Sequence, residues 1–422
     1  MSSKSAILVC TVGGSHQPVL KALQARAWDH VVFVCTPETG AGRGSVAMVE
    51  QEVIETRSAT EVLRKLPPIP VLAGLEAGKW EPVTVPPDDP DTAFAILADR
   101  LRALCRDADG AEIVADFTGG TKSMSAALTL AALDAGAALQ LVTGERPDLV
   151  KVRDRTEQAI AVRTKRIAGA REFERLAAGW GRFAYQEAAD GFGRLWSDLK
   201  AESLSREELR PLTRAKELSE AFAAWDCFDH KRAAGGLAKA AYRTLGIDGR
   251  SDWHDLAAAL ARGQNAPSGA LHLRDLWHNA RRCAARGRYD DAVARLYRLW
   301  EAMAQWLLRE DCRIDTAVIQ TGLKKSWDLY LHLQPNGAAA DFWHRPTQLG
   351  VKHGNEIDVL ELRLSARYKS ILAHGWDPVT PAGWQSLSQW TETGLLEVLA
   401  REAERLGEAH DLPQLPTALP TL

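Results

Sequence analysis

The stretch Asp116-Phe117-Thr118-Gly119-Gly120-Thr121-Lys122-Ser123-Met124 follows a short apolar run, Ile113 to Ala115, and opens an alanine-rich run. A strand that turns through paired glycines straight into a helix belongs in an α/β sheet, where ligands sit beyond the strand ends. Glycines let the backbone approach a ligand closely, and the first N–H groups of a helix attract anionic or polar groups. The stretch is not a Walker A loop, because Thr121 stands where that motif needs glycine before the lysine. Two threonines, a serine and a single lysine instead suit a large polar ligand with dispersed phosphates. A lone Gly-Gly pair also serves an ordinary strand-to-helix turn, so the neighbouring strands decide between the two readings.

Ala6 to Thr11 is an apolar run of strand length, followed by Val12-Gly13-Gly14-Ser15 and an amphipathic segment carrying Val19, Leu20 and Leu23. Val31 to Cys35 reads as a second buried strand, which makes a βαβ unit of a parallel sheet. Thr36 to Gly44 contains Gly40, Gly42 and Gly44 without dinucleotide-binding spacing, and predicts a mobile loop. Val46 to Leu66 carries helical spacing, Val83 to Val85 reads as a strand, and Phe94, Leu97, Leu101 and Leu104 mark a helix. The helix from Lys122 to about Ala135 is followed by a strand from Leu139 to Thr143, ending at Gly144-Glu145. Three strand ends thus finish in small polar residues and can converge on one pocket. Its candidate residues are Thr11, Gly13, Gly14, Ser15, Thr118, Gly119, Gly120, Thr121, Lys122, Ser123, Met124, Thr143 and Gly144.

From about Arg153 the strand signal disappears and nearly everything to Glu408 reads as helices. In Trp225-Asp226-Cys227-Phe228-Asp229-His230, adjacent residues on a helix point in different directions, so a capping or surface role is favoured for His230 over an acid–base pair with Asp229. Leu273, Leu276, Trp277 and Ala280 form one apolar stripe, and Val293, Leu296, Tyr297, Trp300, Ala304 and Leu307 form another. Arg281, Arg282, Arg286 and Arg288 between them read as a solvated helix end, with RNA phosphate contact as the alternative.

Lys+Arg 52 against Asp+Glu 55 leaves a net charge of -3, so any contact with nucleic acid has to come from a local patch. The six cysteines are scattered, without a C-x-x-C pair, and read as reduced thiols. No apolar run approaches membrane-spanning length, and the expected location is cytoplasmic.

Near the C-terminus, Arg367 precedes His374 by seven positions, about two helical turns, which places both on one face ~10 Å apart along the axis. A histidine that titrates near neutrality and a permanently charged guanidinium are suited to metal-independent RNA cleavage: the imidazole moves a proton while the arginine stabilises charge on the phosphate. His344, His353 and His374 match no zinc spacing, and no metal is expected.

Together these segments resemble the CARF-HEPN ribonucleases of type III CRISPR systems, which cyclic oligoadenylates switch on. Asp116 to Met124 is similar to the CARF ligand-loop motif, and Arg367 to His374 to the HEPN arginine–histidine motif, although Tyr368 stands where that motif commonly has a polar residue. Trp225 to His230 and Gly287 to Arg298 also resemble stretches of one branch. The resemblance implies an α/β Rossmann-like CARF domain over 1–152, a helical transmission region over 153–265, a HEPN helical nuclease domain over 266–410 and a flexible tail over 411–422. It further implies a homodimer, a cyclic oligoadenylate activator, the tetra-adenylate ring as the commoner one, no cofactor, and single-stranded RNA as substrate cut at Arg367 and His374. Two other readings stay open: a sensor whose HEPN domain is inactive, and a CARF pocket that cleaves its own ring.

Overall fold

The computed structural model describes residues 5–40, 43–58, 61–108, 110–143, 158–202, 204–239, 252–263, 269–316, 322–345, 372 and 375–420. They fall into two compact units, Met1–Ala168 and Gly169–Leu422.

The first unit is built on a six-stranded sheet in the order β5-β2-β1-β6-β7-β8. Its strands are β1 (Ala6–Thr11), β2 (His30–Cys35), β5 (Trp80–Thr84), β6 (Glu112–Asp116), β7 (Ala138–Thr143) and β8 (Gln158–Val162). All pairings are parallel except β7 with β8. The central strands read as continuous apolar runs because both faces are covered. Ile7, Val9, Val32, Val34, Ile113 and Ala115 pack on α4 (Pro90–Asp107) and α5 (Lys122–Ala135), which contribute Leu97, Leu101, Ala127 and Leu128. The alternate residues, Leu8, Cys10, Val31, Phe33 and Val114, pack with Val19 and Leu23 of α1 (His16–Gln24), Met48 of α2 (Ala47–Glu50) and Ile69 of α3 (Ile69–Leu72). The cysteines are free. Burial pushes the Cys10 thiol well up, with Asp116 adding to it, and Cys35 is pushed up to about 12, so both stay protonated.

Two segments depart from the sequence expectation. Val46 to Leu66 is not a helix: after α2 the chain forms an antiparallel hairpin, β3 (Val53–Ser58) and β4 (Glu61–Leu66). Cross-strand hydrogen bonds override a helical spacing in a stretch that alternates polar with β-branched residues. Strand structure also continues past Arg153, because β8 adds to the sheet edge, and the compact unit extends beyond residue 152. Five residues paired on one side give too weak a pattern to be read locally.

The second unit is helical: α7 (Tyr185–Lys200), α8 (Arg206–Asp226), α9 (His230–Lys239) and α10 (Trp253–Gly263) follow α6 (Lys165–Ala178) and surround Trp180, Phe192, Phe222 and Trp225. Then α11 (Ala270–Ala285) and α12 (Tyr289–Cys312) bury both predicted stripes against the helices Leu323–Leu333, Ala338–Trp343, Pro381–Trp390 and Leu396–Leu406. Tryptophans dominate this core and bond their indole N–H groups inside it, Trp300 to Thr391 Oγ1 at 3.0 Å and Trp327 to the Trp300 carbonyl at 3.1 Å. Within this unit the helices from 176 to 260 and those from 270 to 403 bury separate cores. The C-terminal segment is not a loose tail: Leu412 and Leu415 are buried in the core around Trp225. Tyr185 Oη donates to the Pro416 carbonyl at 2.6 Å. Its two leucines at a spacing of three carried too little signal to place them.

Candidate ligand pocket and buried ion network

Strands β1 and β6 lie side by side, and the chain leaves them in opposite directions across the sheet, so their ends form the crevice where open α/β sheets take ligands. The two turns there touch through backbone. A Cβ on Gly13 would lie 2.8 Å from the Gly120 nitrogen, and one on Gly119 would lie 2.3 Å from the Thr11 carbonyl oxygen. Gly120 also has φ +75, a conformation that glycine adopts without strain. Thr11 Oγ1 donates to the Gly119 carbonyl at 2.8 Å, and Ser125 Oγ to the same oxygen at 2.9 Å. Asp116 is buried and accepts from the Thr118 N–H at 3.0 Å, while Thr118 Oγ1 accepts from the Val142 N–H at 2.6 Å. Burial pushes the Asp116 carboxyl up, and its bonds from Thr118 oppose this.

Helix α5 begins at this junction with a capping box. Thr121 Oγ1 accepts from the Met124 N–H at 3.2 Å and donates to the Pro87 carbonyl at 2.5 Å, while Met124 Sδ lies 3.5 Å from the Thr121 nitrogen. A cavity of about 420 Å³ opens beside it. Val12, Gly13, Gly14, Gly120, Thr121 and Met124 line one side, and Thr36, Gly44, Ser45, Met48 and Val53 the other.

Of the thirteen residues singled out from the sequence, Gly13, Gly14, Gly120, Thr121 and Met124 come together in this cavity. Thr11, Thr118 and Gly119 lie behind it and fix the two turns to each other. Ser15, Lys122, Ser123 and Thr143 are not among the lining residues, and Gly144 lies outside the described residues. The second wall was missed. The rule that pointed to three strand ends applies equally to β2, whose end leads into Thr36. The expected mobile loop has a pinned base: the Thr36 N–H donates to Ser45 Oγ at 2.8 Å and the Ser45 N–H to Thr36 Oγ1 at 2.7 Å. Gly44, at φ +61, has no room for a Cβ, which would lie 2.2 Å from the Pro37 carbonyl oxygen.

In the second unit, Arg367, Tyr368, His353 and His374 lie outside the described residues. Among the described residues, no group of three or more His, Cys, Asp or Glu could hold a metal ion. The structure corrects the surface readings in part: Arg281 and Arg288 are exposed as expected, whereas Arg282, Arg286 and His230 are not. Arg282 is fully buried, with Nε 2.6 Å from Asp226 Oδ1, Nη1 2.8 Å from Gln414 Oε1 and Nη2 3.3 Å from Asp275 Oδ1. Arg286 reaches Asp226 Oδ2 at 2.7 Å. His230 is buried against Asp275, while Asp229 does cap α9 by accepting from the Arg232 N–H at 3.0 Å. Asp226 lies 56 and 60 positions from Arg282 and Arg286, and Asp275 lies 45 from His230, so spacing on one helix misplaced them.

The architecture defines a two-part protein: a Rossmann-like sheet with a cavity at its switch point, then a tryptophan-rich helical unit. Residues 262–395 match the family model of the Csm6 HEPN domain. The match covers about a third of the chain and falls within its helical unit. No curated protein sequence matches it. Among solved structures, Enterococcus italicus Csm6 bound to cyclic hexa-2'-fluoro-hexa-dAMP is similar at 12% identity with a TM-score of 0.46, over 96% of this chain and 98% of that one. No helix among the described residues is long and apolar enough to cross a membrane.

Proposed function

We propose that the chain is a cytoplasmic, metal-independent endoribonuclease for single-stranded RNA, switched on by a cyclic oligoadenylate. The observation that carries this reading is the HEPN match over 262–395, because that range includes Arg367 and His374. In the proposed reaction, His374 moves the proton between a ribose hydroxyl and the leaving oxygen, and Arg367 stabilises the charge that builds on the phosphate. Unpaired RNA suits this step because its 2′-hydroxyl is free to align with the phosphate.

The activator is assigned to the cavity between Gly13, Gly120 and Ser45. A glycine-lined wall admits a large ring close to the backbone, and a homodimer would present the cavity twice to a two-fold ligand. Activation then follows from tighter binding of the ring to the active arrangement than to the resting one.

Cleavage of a labelled single-stranded RNA, with and without tetra- and hexa-adenylate rings, tests the reading. Cutting that needs a ring, survives a chelator and vanishes in His374→Ala supports it. Cutting that persists in that variant assigns the chemistry elsewhere. The ring giving the larger thermal stabilisation of the folded chain is the activator.

A further inference from the structure

We propose that the cleft between α7 and the first half of α8 is a second binding site for the substrate strand, one that grips single-stranded RNA through its phosphates. The proposal deepens the nuclease reading and names where RNA is held in addition to the residues assigned to cutting it.

The cleft encloses about 1020 Å³. Although the protein is net negative, five cations line this cleft against two carboxylates, Glu207 and Glu217. Glu217 is already taken by Lys239 of α9, 3.0 Å away. Lys200, Arg206, Arg210 and Arg214 therefore face Glu207 alone.

The three arginines stand at i, i+4 and i+8 along α8, on one face and about 6 Å apart in rise. Like charges at that spacing weaken a helix, and Arg206 at its first position opposes the helix dipole as well. None of the three has a hydrogen-bond or ion-pair partner among the described residues, and Arg214 Nε is shut off from solvent without one. A row of unpaired guanidinium groups that costs the helix stability calls for an external row of anions, and a phosphodiester strand supplies one at a comparable repeat. At the wall of the cleft, Trp196 is fixed by its Nε1 donating to Thr213 Oγ1 at 3.1 Å, with the Lys200 ammonium 4.6 Å from the ring centroid. A fixed indole beside arginines is how strands are held without sequence preference, and it favours RNA over an acidic peptide.

The test is binding of a short labelled single-stranded RNA to the full chain carrying His374→Ala, so that the strand survives. Substituting Arg206→Gln, Arg210→Gln and Arg214→Gln together should lower affinity at least tenfold at low salt. It should also reduce the slope of log Kd against log salt by about 2, at roughly 0.7 per lost phosphate contact. An unchanged slope and affinity overturn the proposal. Photo-crosslinking to the unsubstituted cleft should mark the peptide from Trp196 to Arg214; a crosslink only elsewhere overturns it. Displacement of the RNA by tripolyphosphate or polyglutamate at equal charge overturns the RNA assignment in favour of that competitor's class. Because binding is read, a chain that never cuts RNA refutes the nuclease reading without altering this measurement.

Discussion

His230 Nε2 lies 2.8 Å from Asp275 Oδ2, with each side chain only 1% exposed. The same carboxylate accepts from Trp225 Nε1 at 3.2 Å and from Arg282 Nη2 at 3.3 Å, so one buried anion joins α8, α9 and α11. Removing it would leave the buried His230 Nε2 and Trp225 Nε1 without their acceptor and Arg282 with Asp226 as its remaining carboxylate partner. Asp275→Ala should destabilise the second unit by about 3–5 kcal/mol, read from urea denaturation. Burial pushes the Asp275 carboxyl up, but His230 and Arg282 outweigh this and hold it below the usual carboxylate range. Its contribution is therefore complete above about pH 4, the unfolded value, and is lost as pH falls through the lowered folded value.

His278 acts in a higher pH window. Burial pushes its imidazole down to about 4, against the opposing bond to the Leu412 carbonyl, 2.6 Å away. Between that value and the unfolded one near 6.5, the unfolded chain holds the extra proton, so stability falls as pH drops. The expected loss from about pH 6.5 to 4 is roughly 3 kcal/mol, and His278→Gln should flatten the slope in that window.

Deleting the segment after Gly407 should lower stability rather than leave it unchanged. Leu412 and Leu415 are 3% and 2% exposed, and the Gln414 side chain bridges Arg282 and the His278 carbonyl. Two buried leucines alone are worth about 3–6 kcal/mol. A thermal midpoint equal to that of the full chain would refute the packed arrangement.

Alanine at the glycines separates fold from ligand. At Gly119 a Cβ meets the Thr11 carbonyl oxygen at 2.3 Å, whereas at Gly14 it meets nothing within 4 Å. Gly119→Ala should destabilise the first unit by about 1–3 kcal/mol through overpacking. Gly14→Ala should leave the melting of the free chain unchanged and reduce stabilisation by the ring, if the ring occupies the cavity it lines.

The sequence announced the central sheet well. Apolar runs such as Val31 to Cys35, buried on both faces, mark a strand wherever they occur, and the turn chemistry of Gly119-Gly120 is local. The β3–β4 hairpin was missed because its alternating pattern competes with a helical spacing, and β8 because its strandedness depends on its partner at the sheet edge. The second cavity wall was missed for a related reason. Thr36 and Ser45 hold each other across nine positions, and no single spacing reveals that pair.

By itself, then, the chain determined the central strands and the long amphipathic helices, where the backbone needs glycine, and the motif order that places a ligand turn before an arginine–histidine pair. Only the tertiary structure decided that Arg282 and His230 are interior, that Arg286 is half-buried against Asp226, and that residues 412–416 form part of the core. A charge can be buried only if an opposite charge arrives to neutralise it. Asp226 and Asp275 are brought to these cations by helix packing over 45 to 60 positions, which no local pattern encodes.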